Sequence, residues 1–269
     1  MHWREGTGDI LIGLAGKQRL GVISDVDGTL SPIVDQPDAA RVSARNLELL
    51  SKLLNEVALV ALISGRAVNE LEQIVGLPGL IYVGNHGLER MLNGERAIAE
   101  EALVFEAALR SAREDLKSLK SEGVYLEDKG ISLSLHYRQS RSPDSFAREQ
   151  EARLAGIADK HGLRLSQGRK VFEFKPPVEI DKGSAFRQLV EEFELDAAIY
   201  IGDDTTDVAA LISARKLREA GSIEAWGIGV QSEEVPAEVE AEADFLASGV
   251  ADVEEFLDWL LAARKASST

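Results

Sequence analysis

The chain has 269 residues, of which 45% are hydrophobic, so it can bury a large core as one big domain or two smaller ones. Its 46 acidic and 30 basic residues give a formal charge of −16, which repels nucleic acids and anionic membranes. It has no cysteine, which excludes disulfides, thiolate metal sites and cysteine nucleophiles. We therefore expect no nucleic-acid or membrane partner, and an anionic substrate would need a locally positive pocket.

No stretch of the sequence predicts a membrane span or a secretory leader. The longest apolar runs, such as residues 57–63, are far too short to cross a bilayer, and the first six residues lack the hydrophobic core of a signal peptide. We expect a soluble protein in the cytoplasm.

Residues 1–102 have the pattern of a parallel sheet covered by helices. The hydrophobic periodicity predicts, in chain order, strand 20–25, helix 43–54, strand 57–64, helix 68–75, strand 80–84 and a turn at 85–87. Such alternation is typical of strands that pair in parallel through crossover helices.

Residues 103–178 break this pattern. They predict helix 105–120, strands 124–127 and 131–137, helix 145–160, and strands 163–165 and 170–175. A helix-hairpin-helix-hairpin order favours a separate antiparallel α+β layer.

The parallel pattern resumes in residues 179–269. The predicted elements are helix 182–193, strand 197–201, helix 207–217, strand 225–230, helix 253–263 and a frayed tail at 265–269. Acidic motifs at strand ends occur on both sides of the middle region, which favours an insertion over two consecutive domains. We predict an α/β protein with a Rossmann-like parallel-sheet core, residues 1–102 and 179–269, and an inserted α+β cap domain at 103–178.

The most informative segment follows the first predicted strand. Asp25 and Asp27 come directly after apolar residues, and Gly28 and Thr29 continue into a turn. Open α/β sheets build their sites at such strand ends, although Asp-x-Asp-Gly alone is often an ordinary turn. Three later segments add chemistry to it: Ile63-Ser64-Gly65-Arg66, Asp181-Lys182-Gly183-Ser184 and Gly202-Asp203-Asp204-Thr205-Thr206-Asp207.

Each later segment also has a purely structural explanation. Ser64-Gly65 is compatible with a strand-to-helix turn, Lys182 with an exposed lysine, and Gly202-Asp203-Asp204 with a helix cap. Together they supply an acidic metal pocket, a hydroxyl beside backbone amides and one lysine, a set that suits phosphoryl transfer. A bound Mg²⁺ offsets the repulsion between a phosphate and an anionic nucleophile. Ser64 and the amides of the next helix can bind phosphate oxygens, and Lys182 adds positive charge.

In this order the four segments resemble the motifs of the haloacid dehalogenase-like phosphatases. The resemblance implies that Asp25 is the nucleophile that forms an aspartyl-phosphate, and that Asp27 is first a general acid and then a general base. It implies Mg²⁺ bound by Asp25, the Asp27 carbonyl and Asp203, with Asp204 and Asp207 as supporting carboxylates. Ser64 and Lys182 complete the implied catalytic set.

Three further segments resemble the trehalose-6-phosphate phosphatases: 82–89, 126–130 leading to 135–138, and 168–174 followed by Pro176. This resemblance covers roughly residues 19–260. It implies hydrolysis of trehalose 6-phosphate to trehalose and phosphate, the final step of trehalose biosynthesis. It also implies a small sugar-phosphate substrate and allows association with a trehalose-6-phosphate synthase.

The middle region is expected to choose the substrate, because charged residues among its short strands can form a polar face for sugar hydroxyls. The resemblance implies that Glu127, Arg138, Lys170 and Glu173 contact the disaccharide, and that Arg66 and His86 lie near the phosphate or the domain junction. The complete expected substrate-binding set is Thr29, Gly65, Arg66, His86, Glu127, Arg138, Lys170 and Glu173. The alternating charges also fit a solvated sheet face, and residues 85–87 also fit a plain turn.

Other functions stay open at this stage. Phosphatases for sucrose phosphate or for mannosyl- or glucosyl-phosphoglycerate share the motifs, and a sugar phosphomutase shares the nucleophile. A non-catalytic regulatory module is disfavoured because no expected catalytic position is lost.

Overall fold

The computed structural model describes residues 1–34, 40–119, 121–168, 170–232 and 235–267. The chain divides into two compact units: unit 1 comprises Met1–Arg96 and Ile180–Thr269, and unit 2 comprises Ala97–Glu179. The sequence of unit 2 therefore interrupts that of unit 1.

The regular elements of the described residues are as follows. The helices are α1 (Ile10–Ala15), α2 (Ala44–Leu53), α3 (Val68–Val75), α4 (Glu100–Leu103), α5 (Glu106–Leu116), α6 (Pro143–His161), α7 (Lys182–Glu192), α8 (Val208–Glu219), α9 (Ala237–Glu242) and α10 (Val250–Ser267). The strands are β1 (Leu20–Ser24), β2 (Leu59–Ile63), β3 (Ile81–Gly84), β4 (Glu89–Leu92), β5 (Glu95–Ile98), β6 (Tyr125–Asp128), β7 (Leu133–His136), β8 (Arg164–Gly168), β9 (Val171–Lys175), β10 (Ala197–Gly202), β11 (Glu224–Val230) and β12 (Phe245–Ala247).

A largely parallel sheet forms the centre of unit 1. Among the described residues its strand order is β12-β11-β10-β1-β2-β3-β4-β5, with parallel pairing from β12 to β3 and antiparallel pairing of β3 with β4. Strands β10, β1, β2 and β3 are buried along their whole length, as expected when helices cover both faces. Ser24 of β1 lies beside Ile201 of β10 and Leu62 of β2. The segments that follow these three strands therefore emerge at one edge of the sheet.

Helices bury apolar stripes on both faces of this sheet. On α2 the buried positions are Asn46, Leu49, Leu50 and Leu53, which is the spacing of one helical face. The three leucines contribute to the same core as α10, whereas α7 and α8 contribute to the core on the other face. Full burial of one such leucine stabilises the fold by about 1.5–3 kcal/mol.

A buried guanidinium also joins distant parts of unit 1. Arg264 of α10 donates to the carbonyl oxygens of Ala15 at 2.8 Å, Lys17 at 2.5 Å and Glu56 at 2.6 and 2.9 Å. Ala15 is the last residue of α1, and carbonyl groups at helix ends lack partners within their own helix. Arg264 supplies donors to these groups and in this way holds α10 in place.

In unit 2 the described residues form a four-stranded antiparallel sheet, in the order β6-β7-β9-β8. Helix α6 packs on α5 and beside β8. Leu133, Leu135, Phe172 and Phe174 are buried. The residues that alternate with them point to the other face, where Glu127, Ser134 and Glu173 are register partners in one row.

The predicted fold class is confirmed, whereas several local predictions need correction. Helix α10 continues to Ser267, so residues 265–267 are not a frayed tail, and residues 268–269 lie outside the described residues. Arg264 anchors the turn before this stretch, and the Ser267 hydroxyl donates to the Ala263 carbonyl at 3.0 Å. Lys120 at the end of predicted helix 105–120 and Arg169 in the segment 168–174 also lie outside the described residues.

The sequence patterns also left several elements unassigned, among them α1, the two strands of the β4–β5 hairpin, α9 and β12. The hairpin had a signal, because Asn93-Gly94 is typical of a two-residue hairpin turn. Both residues have positive φ, 52° and 81°. The predicted cap boundaries at 103 and 178 stay a prediction, and the compact unit runs from Ala97 to Glu179. None of the helices in the described ranges has the length and apolar character that a bilayer crossing requires.

Candidate active site

The segment after β1 turns sharply at Gly28. The amide of Asp25 donates to the Ile201 carbonyl at 2.8 Å, which continues the pairing of β1 with β10. Gly28 donates to the Ser31 carbonyl at 2.7 Å and has a φ of +89°, a conformation that favours glycine. A Cβ atom at this position would lie 2.1 Å from Oδ2 of Asp203. The turn thus packs directly against a carboxylate that follows β10, and it leaves no space for a side chain.

Lys182 joins the segments that follow β1 and β10 through a buried ammonium group. It is the first residue of α7, whose N-cap Asp181 accepts the Ser184 amide at 2.7 Å. Its Nζ lies 2.8 Å from Oδ1 of Asp25 and 2.7 Å from Oδ1 of Asp207. Burial alone lowers the pKa of Lys182, but the attraction of Asp207 and Asp25 outweighs it, so this pKa lies above its ordinary value. Lys182 is therefore a charged ammonium.

Asp25 lies in a site with more negative than positive charge. Burial raises the pKa of the Asp25 carboxyl well above its usual range; Lys182 opposes the rise, whereas Asp207, Asp203 and Asp27 add to it. One ammonium does not balance so many acids. An additional cation is the simplest means of keeping Asp25 ionised.

Asp207 has hydrogen-bond donors at both of its carboxylate oxygens. Oδ1 accepts from Lys182 and, at 2.5 Å, from the Tyr200 hydroxyl, while Oδ2 accepts the amides of Asp203 at 3.2 Å and Asp204 at 3.0 Å. Burial and the charge of Asp207 raise the pKa of Tyr200, which keeps its hydroxyl a donor. Asp207 thus shapes the loop that carries Asp203. Tyr200 was not predicted, because a tyrosine within an apolar strand is ordinarily part of the core.

Three buried carboxylates form a site that suits a hard divalent cation. One oxygen each of Asp25, Asp203 and Asp207 lie within 4.8 Å of one another. Carboxylate oxygens are the ligands preferred by Mg²⁺, Ca²⁺ and Mn²⁺. Thr29, which was expected to bind substrate, donates to Oδ1 of Asp203 at 3.3 Å. Asp204 follows Asp203 in the sequence and is half-buried. Its carboxylate accepts a hydrogen bond from the Thr205 hydroxyl at 3.5 Å.

The Asp27 carboxylate is not among the three clustered acids. Arg66 binds it through two hydrogen bonds, from Nε at 2.6 Å and from Nη2 at 2.7 Å. Such a two-point contact fixes both groups in orientation. The expectation that the main-chain carbonyl of Asp27 is a metal ligand stays a prediction. Arg66 was expected near the phosphate or the domain junction; its side chain binds Asp27, and its place relative to a phosphate stays a prediction.

The segment from Ser64 to Val68 connects β2 to α3 beside the turn at 85–87. The Ser64 hydroxyl accepts the Arg66 amide at 3.2 Å, and its carbonyl accepts the His86 amide at 2.9 Å. A Cβ atom on Gly65 would lie 2.7 Å from the His86 ring, so this ring covers the glycine. The first amide of α3, that of Val68, donates to Oε1 of Glu89 at 2.9 Å. This amide is therefore already bonded within the protein, and the expected phosphate contacts of Ser64 and Gly65 stay a prediction.

Unit 2 carries several of the expected sugar contacts on the polar face of its sheet. Glu127 lies 2.6 Å from His136 and 3.9 Å from Lys129, and Lys129 lies 3.8 Å from Glu173. Glu173 also contacts Lys175 at 2.5 Å. The sequence motifs did not assign Lys129, His136 or Lys175 to this face, although the alternation along each strand predicts it.

Two other expected sugar contacts lie outside this row. Lys170 occupies the turn between β8 and β9 with φ of 62°, and its ammonium forms an ion pair with Asp144 at the start of α6. Arg138 is half-buried directly after Tyr137, beyond the end of β7. Their roles stay predictions.

Gly28→Ala should lower the free energy of unfolding by clearly more than Gly79→Ala. Both glycines have positive φ, 89° and 84°, so both variants acquire backbone strain of about 1–2 kcal/mol. Only at position 28 does the new Cβ meet a carboxylate, since nothing lies within 4 Å of a Cβ at position 79. The added contact should cost about 1–3 kcal/mol more. Urea denaturation of both variants measures the difference, and equal losses would contradict the close packing of Gly28 on Asp203.

Comparison with known proteins identifies the family. A family model described as trehalose-phosphatase matches residues 23–246. The trehalose-phosphate phosphatase of Mycobacterium marinum is 36% identical over 203 residues, which are 70% of this chain and 50% of that protein. That of Mycobacterium tuberculosis is 34% identical over 207 residues, 72% of this chain and 51% of that protein. The chain thus spans about half the length of the curated relatives it matches.

Solved structures show the same fold. A trehalose-6-phosphate phosphatase related protein has a TM-score of 0.76 at 24% identity, covering 90% of this chain and 97% of that one. The C-terminal domain of trehalose-6-phosphate phosphatase from C. albicans has a TM-score of 0.72 at 22% identity, covering 94% and 95%. At these identities the likeness concerns the fold alone. With the family model matching most of its length, the chain belongs to the trehalose-phosphatase family.

Proposed function

We propose that this chain is an Mg²⁺-dependent phosphatase that hydrolyses trehalose 6-phosphate to trehalose and phosphate through an aspartyl-phosphate. The observation that carries the proposal is the buried Lys182 ammonium between Asp25 and Asp207, beside Asp203, in a member of the trehalose-phosphatase family. A buried acid, a lysine and a cation site together are what nucleophilic attack on a phosphate ester requires.

Asp25 is the nucleophile in this proposal. Lys182 binds its Oδ1, so Oδ2 attacks phosphorus and the bond from phosphorus to the sugar oxygen breaks. Asp27 gives a proton to the departing sugar oxygen. In the second step Asp27 takes a proton from water, the water oxygen attacks the phosphorus of the aspartyl-phosphate, and phosphate leaves with Asp25 restored as a carboxylate.

Arg66 fixes the orientation of the Asp27 carboxylate after the first step and before the second. Both oxygens of Asp27 accept hydrogen bonds from Arg66, which is the arrangement expected of a carboxylate that only accepts. The paired arrangement therefore corresponds to the base of the second step. Arg66 acts on the reaction through Asp27.

Asp25, Asp203 and the main-chain carbonyl of Asp27 are the proposed Mg²⁺ ligands. Asp207 is a supporting residue, because protein donors already occupy both of its oxygens, and Asp204 supports the same loop. When bound, the ion supplies positive charge that offsets the repulsion between the phosphate and Asp25. Ser64 and Gly65 are the proposed phosphate contacts, together with the Lys182 charge. Thr29 acts by holding Asp203.

Unit 2 is proposed to recognise the sugar. Its polar sheet face presents paired acids and lysines, with Glu127 and Glu173 in one row. Carboxylates and ammonium groups bind sugar hydroxyls through several directed hydrogen bonds. The family resemblance adds Lys170 and Arg138 of unit 2 to the proposed sugar contacts, and it implies that His86 of unit 1 lies near the phosphate or the domain junction. A cytoplasmic location and an association with a trehalose-6-phosphate synthase stay predictions.

The function is tested by measuring phosphate release from a panel of esters with Mg²⁺ and with a chelator. Trehalose 6-phosphate should exceed sucrose phosphate and the glycosyl-phosphoglycerates in kcat/KM by at least about tenfold, since a site built for one sugar leaves polar groups unpaired with another. The chelator should abolish release and added Mg²⁺ should restore it.

The other outcomes of the panel are also decisive. A preference for another ester would remove trehalose from the proposal, and phosphate moved to a second sugar position would indicate a mutase. Release from none of the esters would overturn the phosphatase itself.

Asp25→Asn should abolish turnover and leave the fold intact. An amide is a poor nucleophile, and losing a covalent step should add several kcal/mol to the barrier, so less than about a tenth of wild-type activity should remain. The melting temperature should be unchanged or higher, because a buried acid among other acids is removed. Asp196→Asn, an exposed position, is the matched control and should retain activity. Substantial turnover in Asp25→Asn would exclude Asp25 as the nucleophile.

Glu173→Ala and Lys170→Ala should each lower kcat/KM for trehalose 6-phosphate by at least about tenfold, because contacts to the sugar are lost. A small aryl phosphate has no sugar to contact and should be affected much less. Asp144→Ala is the matched control, since it breaks the ion pair of Lys170 and leaves the lysine in place.

If each variant lowers kcat/KM equally for trehalose 6-phosphate and for the aryl phosphate, Glu173 and Lys170 support folding instead of contacting the sugar. No loss on either substrate would assign them to a solvated face. A loss in Asp144→Ala equal to that in Lys170→Ala would assign Lys170 to the ion pair alone.

A further inference from the structure

Glu89 is a buried acid that the proposed reaction does not use. It lies at the start of β4, is 1% exposed and follows the turn at 85–87. A carboxylate removed from water in this way requires several donors.

Glu89 has donors at both oxygens. Oε1 accepts the Val68 amide at 2.9 Å and the Asn85 side-chain amide at 2.7 Å. Oε2 accepts Nε of Arg96 at 2.8 Å and a second hydrogen bond from the same guanidinium. The negative charge is therefore balanced by one arginine, while the other oxygen holds two amide groups of the protein.

One of these amides belongs to Val68, at the end of the Ser64–Val68 segment, and the other belongs to Asn85 in the neighbouring turn. Helix α3 has Ala67 at its N-cap, and alanine has no side-chain acceptor for the first amides of a helix. Oε1 of Glu89 takes this role from 21 residues away in the sequence. Asn85, held by the same oxygen, donates its own backbone amide to the Arg66 carbonyl at 2.8 Å.

The backbone around Glu89 is adapted to this close contact. A Cβ atom on Gly84 would lie 2.7 Å from the Arg66 carbonyl oxygen, 2.7 Å from the Val68 nitrogen and 2.9 Å from Oε1 of Glu89. Asn85 and His86 both have positive φ, 49° and 57°, which non-glycine residues adopt at a cost of about 1–2 kcal/mol. The structure thus accepts strain to bring residues 84–89 against residues 64–68.

We propose that Glu89 is a positioning residue that fixes the Ser64–Arg66 segment for phosphate binding. The inference rests on the proposed function, in which Ser64 and Gly65 contact the phosphate and Arg66 holds Asp27. Arg96 neutralises the Glu89 carboxylate, so that an acid can support a segment that binds an anion. Through Asn85 and Val68, the same carboxylate positions the Arg66 carbonyl and the start of α3 two residues later.

The test compares Glu89→Ala and Glu89→Gln with Asp244→Ala. Asp244 has the same chemistry at another place in unit 1: it accepts the Gly227 amide at 2.9 Å and two hydrogen bonds from Arg218. Measured quantities are binding of inorganic phosphate by calorimetry, kcat and KM for trehalose 6-phosphate, and urea denaturation.

Glu89→Ala should weaken phosphate binding and raise KM by at least about tenfold, and it should also lower kcat because Arg66 shifts with Asp27. Asp244→Ala should lose comparable stability with phosphate binding within about twofold of wild type. Glu89→Gln retains one carbonyl oxygen for Val68 and Asn85, and its phosphate affinity should lie between the two. If Glu89→Ala does not fold, the inference is decided by Glu89→Gln.

Phosphate binding that is no weaker in the Glu89 variants than in Asp244→Ala would overturn the inference, as would a wild-type protein that does not bind phosphate. A wild-type protein that binds phosphate and hydrolyses no ester would contradict the proposed function instead. In that case, loss of phosphate binding in Glu89→Ala would still support the positioning role.

Discussion

The contact on which the site depends is the buried ammonium of Lys182 between two carboxylates. It brings together the end of β1, the start of α7 and the loop after β10, which are far apart in the sequence. Removing three charged groups from water is costly, and the cost is offset because the ammonium lies between the two carboxylates, so that each buried charge has a partner of opposite sign. The three motifs are therefore one structural unit as well as one chemical unit.

The parallel sheet is what makes this contact possible. Strands β10, β1 and β2 lie side by side and end at the same edge, so their following segments meet without long excursions. Behind the reacting groups lies a second set of buried polar groups. The Tyr200 hydroxyl donates a hydrogen bond to Asp207, and Glu89 accepts the Val68 amide at the end of the segment after β2. Each of these supporting groups is hydrogen-bonded to a partner, and such satisfied networks fix the orientation of Asp207 and of the segment after β2.

The sequence predicted the fold class and the strand-end location of the motifs, because short apolar strands in a fixed order determine which segments share an edge. It did not predict the supporting groups. Tyr200 lies in an apolar strand and Glu89 in a segment that also reads as a turn, and only the three-dimensional partners of each reveal its role. The bond from Arg66 to Asp27 depends on side-chain rotamers, which periodicity does not encode. The β4–β5 hairpin was predictable in principle from Asn93-Gly94, whereas three-residue β12 is too short for a periodic signal.

The long-range anchoring by Arg264 has a consequence for the order in which a nascent chain can be completed. Unit 2 is continuous in sequence, and all of its strands have been synthesised by Glu179. In unit 1, by contrast, β1 pairs with β10, and the last residue of α1 is bonded by Arg264, both of which are synthesised later. At about 5–20 residues per second, the ribosome needs roughly 4–17 s to pass from the end of unit 2 to this arginine. During that interval the apolar faces of the early strands lack their final cover. Strand β1 is therefore made long before β10, its neighbour in the sheet, and before α10, which covers one face of that sheet.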